Sequence, residues 1–190
     1  MAIRVIAGTA KGKRLKMVPG NTTRPIMDRV KEALFSIIGN RIYDSRFLDL
    51  FAGTGSVGIE ALSRGAAHAL LTDLDRTAVK TIQQNLEISG LGEYAVVRRV
   101  DAFDLLRQTP EEAYDFIYIA PPQYKGLWRK ALEAVDENTA WVADDGIVIV
   151  QIDPSEQETV TLQHLRPYDE RRYGNTMLWF FEHSPSMSEE

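Results

Sequence analysis

The chain has 190 residues, 44% hydrophobic and 26% charged, a composition suited to one soluble globular domain with a full core. It has no cysteine, which excludes disulfides, thiolate metal sites and cysteine nucleophiles. No apolar run approaches the roughly 18 residues of a membrane span and no signal-peptide h-region is visible, so a cytoplasmic protein with no membrane partner and no metal is expected.

Charge is unevenly placed. Residues 1–31 carry eight basic side chains (Arg4, Lys11, Lys13, Arg14, Lys16, Arg24, Arg29 and Lys31) and one acid, Asp28, a balance of +7. The remainder stands at −12, and the whole at −5. Such asymmetry predicts a basic element offered to a polyanion by an acidic body. A merely solvated basic hairpin is the alternative.

In chain order, Arg4–Ile6 and Arg14–Val18 read as two short strands around a glycine-containing turn, closed by Pro19-Gly20-Asn21. A helix from about Met27 to Ile38 follows, with Val30, Ala33, Leu34, Ile37 and Ile38 on one face, and Gly39-Asn40 ends it. Strands are predicted at 46–50, 68–73, 94–99, 114–119 and 146–151. Helices fall near 56–64, 76–89 and 126–135, with a helical turn near 102–107. This alternation predicts βαβ units and a mainly parallel sheet. The tail reads as an antiparallel pair, Thr159–Arg166 with Asn175–Glu182, around Gly174. Ser184–Glu190 is expected to be disordered.

The most informative stretch is Phe47 to Glu60. An apolar run ends at Leu50, and Gly53, Gly55 and Gly58 fit the G-x-G-x-x-G spacing that lets backbone approach a nucleotide-like ligand at a helix N-terminus. A tight strand-to-helix turn would also call for glycine. Asp49, just ahead of the loop, would repel a pyrophosphate and attract the ammonium and sulfonium charges of S-adenosylmethionine. Asp73 ends the next apolar run at about the spacing where an acid meets ribose hydroxyls, while Asp75 reads as a helix N-cap. Ligands bind beyond the carboxyl ends of strands in an open α/β sheet. The Gly53 loop, Asp73, Asp101 and the Ala120-Pro121-Pro122 turn all follow predicted strands and should converge there. Asp101 reads equally as an N-cap before Phe103-Asp104-Leu105. The two prolines stiffen the turn and aim its carbonyls, and Tyr124 offers either a packed ring or a stacking face.

Asp49–Gly58, Asp73, Asp101-Ala102 and Pro121-Pro122-Gln123-Tyr124 resemble the motifs of S-adenosylmethionine-dependent amino methyltransferases. The basic opening, Thr23–Phe35 and Arg172-Tyr173-Gly174-Asn175-Thr176 are similar to the bacterial RsmD-like group, which methylates the N2 amino group of a guanine in 16S ribosomal RNA. The resemblance covers roughly residues 3–182. It implies a Rossmann-like class I methyltransferase, α/β, with a mainly parallel twisted sheet, an antiparallel C-terminal strand and a small N-terminal hairpin and helix extension. It implies S-adenosyl-L-methionine as cofactor, held by Thr23, Arg24, Asp28, Asp49, Phe51, Gly53, Thr54, Gly55, Ser56, Asp73, Leu74, Asp101 and Ala102. The reacting amine would be placed by Ala120, Pro121, Pro122, Gln123 and Tyr124. The RNA, free or within an assembling small-subunit particle, would lie on Arg4, Lys11, Lys13, Arg14, Lys16 and Arg29, with the protein a monomer.

The expected division is 1–40 for RNA, 41–183 for the cofactor and 184–190 as a tail. One departure stands out. The group's turn begins with Asp or Asn and continues Pro-Pro-aromatic, whereas here Ala120 opens it and Gln123 precedes the aromatic. Backbone carbonyls of Ala120 and Pro121, or the Gln123 amide, are the available substitutes. A methyltransferase for another nucleic acid, a cofactor-binding RNA-binding factor without turnover, and a nicotinamide oxidoreductase are the competing readings.

Overall fold

The computed structural model describes residues 3–20 and 25–186. It opens with a two-stranded antiparallel hairpin, β1 (Ile3–Arg4) and β2 (Arg14–Leu15), shorter than the predicted strands. Helix α1 (Asp28–Ile38) follows, ended by Gly39 at φ 59°. It buries Val30, Leu34, Phe35 and Ile38 at helical spacing.

A seven-stranded sheet is then built from β3 (Arg46–Asp49), β4 (His68–Asp73), β5 (Ala95–Arg99), β6 (Tyr114–Ile119), β7 (Val142–Ile152), β8 (Leu165–Tyr173) and β9 (Thr176–His183). Helices α2 (Ser56–Ser63), α3 (Arg76–Ser89), α4 (Ala102–Leu106) and α5 (Leu127–Glu137) connect the first five strands of that sheet. Strands lie in the order β5-β4-β3-β6-β7-β9-β8, with β3 to β7 parallel and β9 antiparallel to both neighbours. Strand order reverses between β3 and β6, so the crevice beyond their carboxyl ends is the place where such a sheet receives a ligand.

Side chains alternate across the sheet, as strand geometry requires. Phe47, Leu71, Phe116, Tyr118, Ile149 and Phe180 join one buried cluster with α1, α2 and α3. Leu48, Leu70, Ile117, Val148, Val150 and Phe181 join the other with α4 and α5. Ile3, Val5, Ala10 and Leu15 of the opening segment belong to the first cluster. Ile3, Val5 and Leu15 each contribute about 1.5–3 kcal/mol on burial, and Ala10 less, which ties the hairpin to the body.

The C-terminal hairpin corrects the sequence reading. The partner of β9 is Leu165–Tyr173, not Thr159–Arg166, and the turn is Gly174-Asn175. Strand β8 is the sheet edge, and Arg166, Glu170, Arg171 and Arg172 are exposed. Charges on an edge discourage pairing with another chain, and they erase the apolar alternation by which a strand is recognised. Strand β7 begins four residues before the predicted 146. Its register with β6 shifts between Tyr114 and Phe116, so the first part of the strand lies outside the regular ladder. The predicted tail lies partly outside the described residues (187–190). Its first residue, Ser184, donates its N–H to the His164 carbonyl at 2.7 Å.

Candidate functional site

The loop after β3 is built around backbone conformations that favour glycine. Gly53 has φ 56° and Gly55 φ 79°, both left-handed. Gly55 also closes the turn, its N–H donating to the Ala52 carbonyl at 2.7 Å. A Cβ at Gly58 would stand 2.7 Å from Leu71 Cδ2, so the third glycine lets α2 pack on β4. The Ala52 N–H reaches the Thr72 carbonyl at 2.8 Å, fixing the loop to the neighbouring strand. Thr54 Oγ1 accepts the Ser56 N–H at 3.3 Å as α2 begins. Phe51 is half-buried beside the second core cluster.

Asp49 lies beneath this loop and is 1% exposed. Its Oδ2 accepts the Gly58 N–H at 3.0 Å, while Oδ1 is buried without a hydrogen-bond partner. Burial raises its pKa to about 7; the Gly58 hydrogen bond opposes this and the nearby Asp73 charge adds to it. A buried, half-paired carboxylate is costly, and a cation is the partner that would relieve it. Asp73 ends β4 with both oxygens engaged: Oδ2 accepts the Gly53 N–H and Oδ1 the Asp75 N–H, each at 2.9 Å. It therefore shapes the glycine loop directly. Leu74 beside it is 59% exposed, and the Arg99 Nε donates to its carbonyl at 3.1 Å.

Asp101 follows β5 and caps α4, accepting the N–H groups of Phe103 at 2.8 Å and Asp104 at 3.1 Å, with Ala102 buried behind it. After β6, Ala120 packs against the first core cluster and Pro121 is buried, while Pro122, Gln123 and Tyr124 are exposed. Tyr124 has φ 61°, a conformation that costs an ordinary side chain about 1–2 kcal/mol. It is held there by residues of the turn after the neighbouring strand β7. Its N–H donates to Glu156 Oε1 at 2.8 Å and its hydroxyl to Asp153 Oδ2 at 2.9 Å. Asp153 and Glu156 themselves form a capping box on the turn that leaves β7. The parallel register thus brings the Gly53 loop, Asp73, Asp101 and the Ala120 turn to one edge.

The N-terminal residues divide. Lys11, Lys13, Arg14 and Lys16 are exposed. Arg4 pairs with Asp28, Nε to Oδ2 at 3.0 Å, which occupies a carboxylate expected at the cofactor. The Arg29 guanidinium lies 5.9 Å from the centre of the Tyr173 ring. Lys31 is not part of the basic surface: it is 0% exposed, donating to the Arg4 carbonyl at 2.7 Å, with Glu60 at 3.7 Å. Thr23 and Arg24 lie outside the described residues.

Three polar positioners escaped the sequence reading. Glu60, 0% exposed, accepts the Ile6 and Ala7 N–H groups and the Arg64 Nε at 2.9–3.2 Å. Ser63 bonds to Ala7 and Ala10, and Asn85 to Lys16 and Thr54. The available signal was a polar residue at a core-facing helix position, such as Asn85 seven residues beyond Ala78 and next to Leu86.

The family model described as conserved hypothetical protein 95 matches residues 3–182. The YlbH protein of Bacillus subtilis is 38% identical over 176 residues, covering 92% of this chain and 95% of its own. The ribosomal RNA small subunit methyltransferase D of Escherichia coli is 35% identical over 151 residues, 78% of this chain and 74% of its own. The chain belongs to the RsmD-like family. The fold agrees: the solved yhhF structure from Escherichia coli superposes on this RsmD-like chain with a TM-score of 0.85 at 30% identity, covering 96% of one and 98% of the other. The sheet is that of a Rossmann-like class I methyltransferase, with β9 as its antiparallel C-terminal strand.

Proposed function

We propose that this chain uses S-adenosyl-L-methionine to methylate the N2 amino group of a guanine in small-subunit ribosomal RNA. The observation that carries the reading is Asp49: a buried carboxylate with an unpartnered oxygen beneath a left-handed glycine loop at the switch point of the sheet. A dinucleotide pyrophosphate would meet a negative charge there, whereas a sulfonium and an ammonium suit it. The Escherichia coli relative's name supplies the substrate class.

The Gly53–Ser56 loop, Phe51 and Asp49 would receive the methionine moiety, Asp73 and Leu74 the ribose, and Asp101 with Ala102 the adenine. Thr23, Arg24 and Asp28 would close the site from the N-terminal side. When bound, the cofactor supplies an electrophilic methyl group on a positively charged sulfur. The carbonyls of Ala120 and Pro121 and the Gln123 amide oxygen hold the guanine amine in line, and placement of this kind is the main catalytic lever for such a transfer. Pro121 and Pro122 keep those carbonyls rigid. Tyr124, pinned by Asp153 and Glu156, offers its ring to the base. Lys11, Lys13, Arg14, Lys16, Arg4 and Arg29 would meet the phosphates. We place the protein in the cytoplasm as a monomer, with residues 1–40 serving RNA and 41–183 the cofactor.

Ala120 favours one second reading, a cofactor-binding RNA-binding factor without turnover, because its side chain cannot accept a hydrogen bond. Transfer of labelled methyl to deproteinised 16S RNA and to assembling small-subunit particles separates the two, with the modified base located by mass spectrometry. Product as N2-methylguanine is the expected result. Bound cofactor without transfer to either substrate favours the factor, and methyl on another base overturns the specificity.

A further inference from the structure

The glycine loop and the basic segment meet at one side chain. Asn85 lies on the core-facing side of α3 and is 0% exposed. Its Nδ2 donates to the Thr54 carbonyl at 2.8 Å, between Gly53 and Gly55, and to the Lys16 carbonyl at 3.0 Å. Its Oδ1 accepts the Lys16 N–H at 2.7 Å. Both amide protons are therefore used, and the side chain pairs with Lys16 as a neighbouring strand would.

These bonds join segments far apart in sequence: 31 residues separate Asn85 from Thr54, and 69 separate it from Lys16. Other side-chain anchors of the opening segment are Glu60 and Ser63 on α2, which bond to Ile6, Ala7 and Ala10, and Lys31 on α1, which bonds to Arg4. Among the described residues, Asn85 is the side chain whose hydrogen bonds reach both the glycine loop and the basic segment. Moving Lys16 away would leave a buried amide unsatisfied, which costs more than the bond itself contributes. The same amide holds Thr54, whose flanking glycines give the loop the freedom to shift.

We infer that Asn85 is a positioning residue that couples the two binding events. RNA phosphates on Lys13, Arg14 and Lys16 fix the backbone of Lys16, and through Asn85 they fix the loop in its cofactor-binding shape. Linkage requires the reverse: the cofactor strengthens RNA binding by the same factor. The inference rests on the functional reading above, which assigns the loop to the cofactor and the segment to RNA.

The test uses the full chain, with S-adenosylmethionine affinity measured by calorimetry in the presence and absence of saturating deproteinised 16S RNA. Wild-type protein should show roughly fivefold or greater tightening, within the ordinary range of coupling between sites. Asn85→Leu, shown to be folded by circular dichroism, should bring that ratio close to one while still binding each ligand. A second measurement needs no variant. Exchange of the Lys16 amide proton in the wild-type protein should slow when S-adenosylmethionine is added alone. An unchanged ratio in Asn85→Leu, or unaltered Lys16 exchange, overturns the coupling. Where deproteinised RNA does not bind, assembling small-subunit particles take its place. Wild-type protein that binds both ligands independently overturns the coupling alone, whereas one that fails to bind the cofactor, or either form of the RNA, overturns the functional reading with it.

Discussion

At Asp49 the cost of burial and the chemistry of a cationic ligand meet in one carboxylate. Its pKa in the folded protein is about 7, against 3.8 for an ordinary aspartate. Between those values the folded state holds a proton that the unfolded state has lost, so stability falls as pH rises toward 7. A bound cation favours the ionised form. S-adenosylmethionine should therefore bind more tightly as pH rises, by up to about tenfold per unit below the pKa, with proton uptake by buffer near pH 6. Calorimetry in two buffers of different ionisation enthalpy measures both effects, and Asp49→Asn should flatten the profile. A wild-type affinity independent of pH would remove Asp49 from the ligand. In the turn after β6, two variants separate placement from binding. Gln123→Ala should lower kcat and leave cofactor affinity nearly unchanged, as for an interaction made with the reacting amine. Tyr124→Ala should weaken RNA binding by about 1–3 kcal/mol if a base stacks on the ring. Single-turnover kinetics beside an RNA titration distinguishes these outcomes, and equal losses in both variants would mean that the turn only acts as a scaffold.

The opening hairpin illustrates how an element's charge differs from its sequence count. Of the basic side chains before residue 32, Lys31 is buried, Arg4 is paired with Asp28 and Arg29 stands over Tyr173. Besides Arg4, which is exposed but paired, the hairpin exposes Lys11, Lys13, Arg14 and Lys16. Replacing these four with alanine should weaken RNA binding and reduce its salt slope by about 0.7–0.9 for each phosphate no longer neutralised, because fewer counterions are released. Cofactor affinity without RNA should change little. A salt slope equal to wild type would mark the hairpin as a solvated face only.

Across the whole molecule, a buried polar cluster attaches the hairpin to the methyltransferase body. Glu60 serves two backbone N–H groups, the Arg64 guanidinium and the Lys31 ammonium. Burial lowers the Lys31 pKa, while the Glu60 and Asp28 charges act to raise it. Breaking such a pair costs about 3–5 kcal/mol when it strands a buried charge. Glu60→Ala should reach that range, since among the described residues the Arg4 carbonyl is then the hydrogen-bond partner left to Lys31. Lys31→Met should cost less, because Glu60 retains its N–H and Arg64 partners. Chemical denaturation of both variants checks the order, and equal or reversed costs would contradict the assignment of Glu60 as the hub.

Much of the scaffold could be read directly from local patterns. Strands 68–73 and 114–119 and helix 76–89 lie where apolar periodicity and the Asp75 cap place them, because their signals are carried within each segment. The glycine loop was legible for the same reason: left-handed backbone at Gly53 and Gly55 requires residues without a Cβ. Strand β8 was not legible, since an edge strand of exposed arginines and acids has no apolar alternation and exists because β9 pairs with it. The Asp101 cap was legible, because Phe103 and Asp104 follow close behind it, but sequence could not say that Lys31 is buried or that Asp49 keeps one oxygen bare. Those facts depend on which groups the fold brings together, and hydrogen bonds spanning 54 or 69 residues leave no local trace. Local residue patterns were enough to set the order of elements and the edge on which the motifs gather. Which charges are free to act was settled by long-range packing, because burial and pairing are properties of the neighbours a side chain acquires on folding.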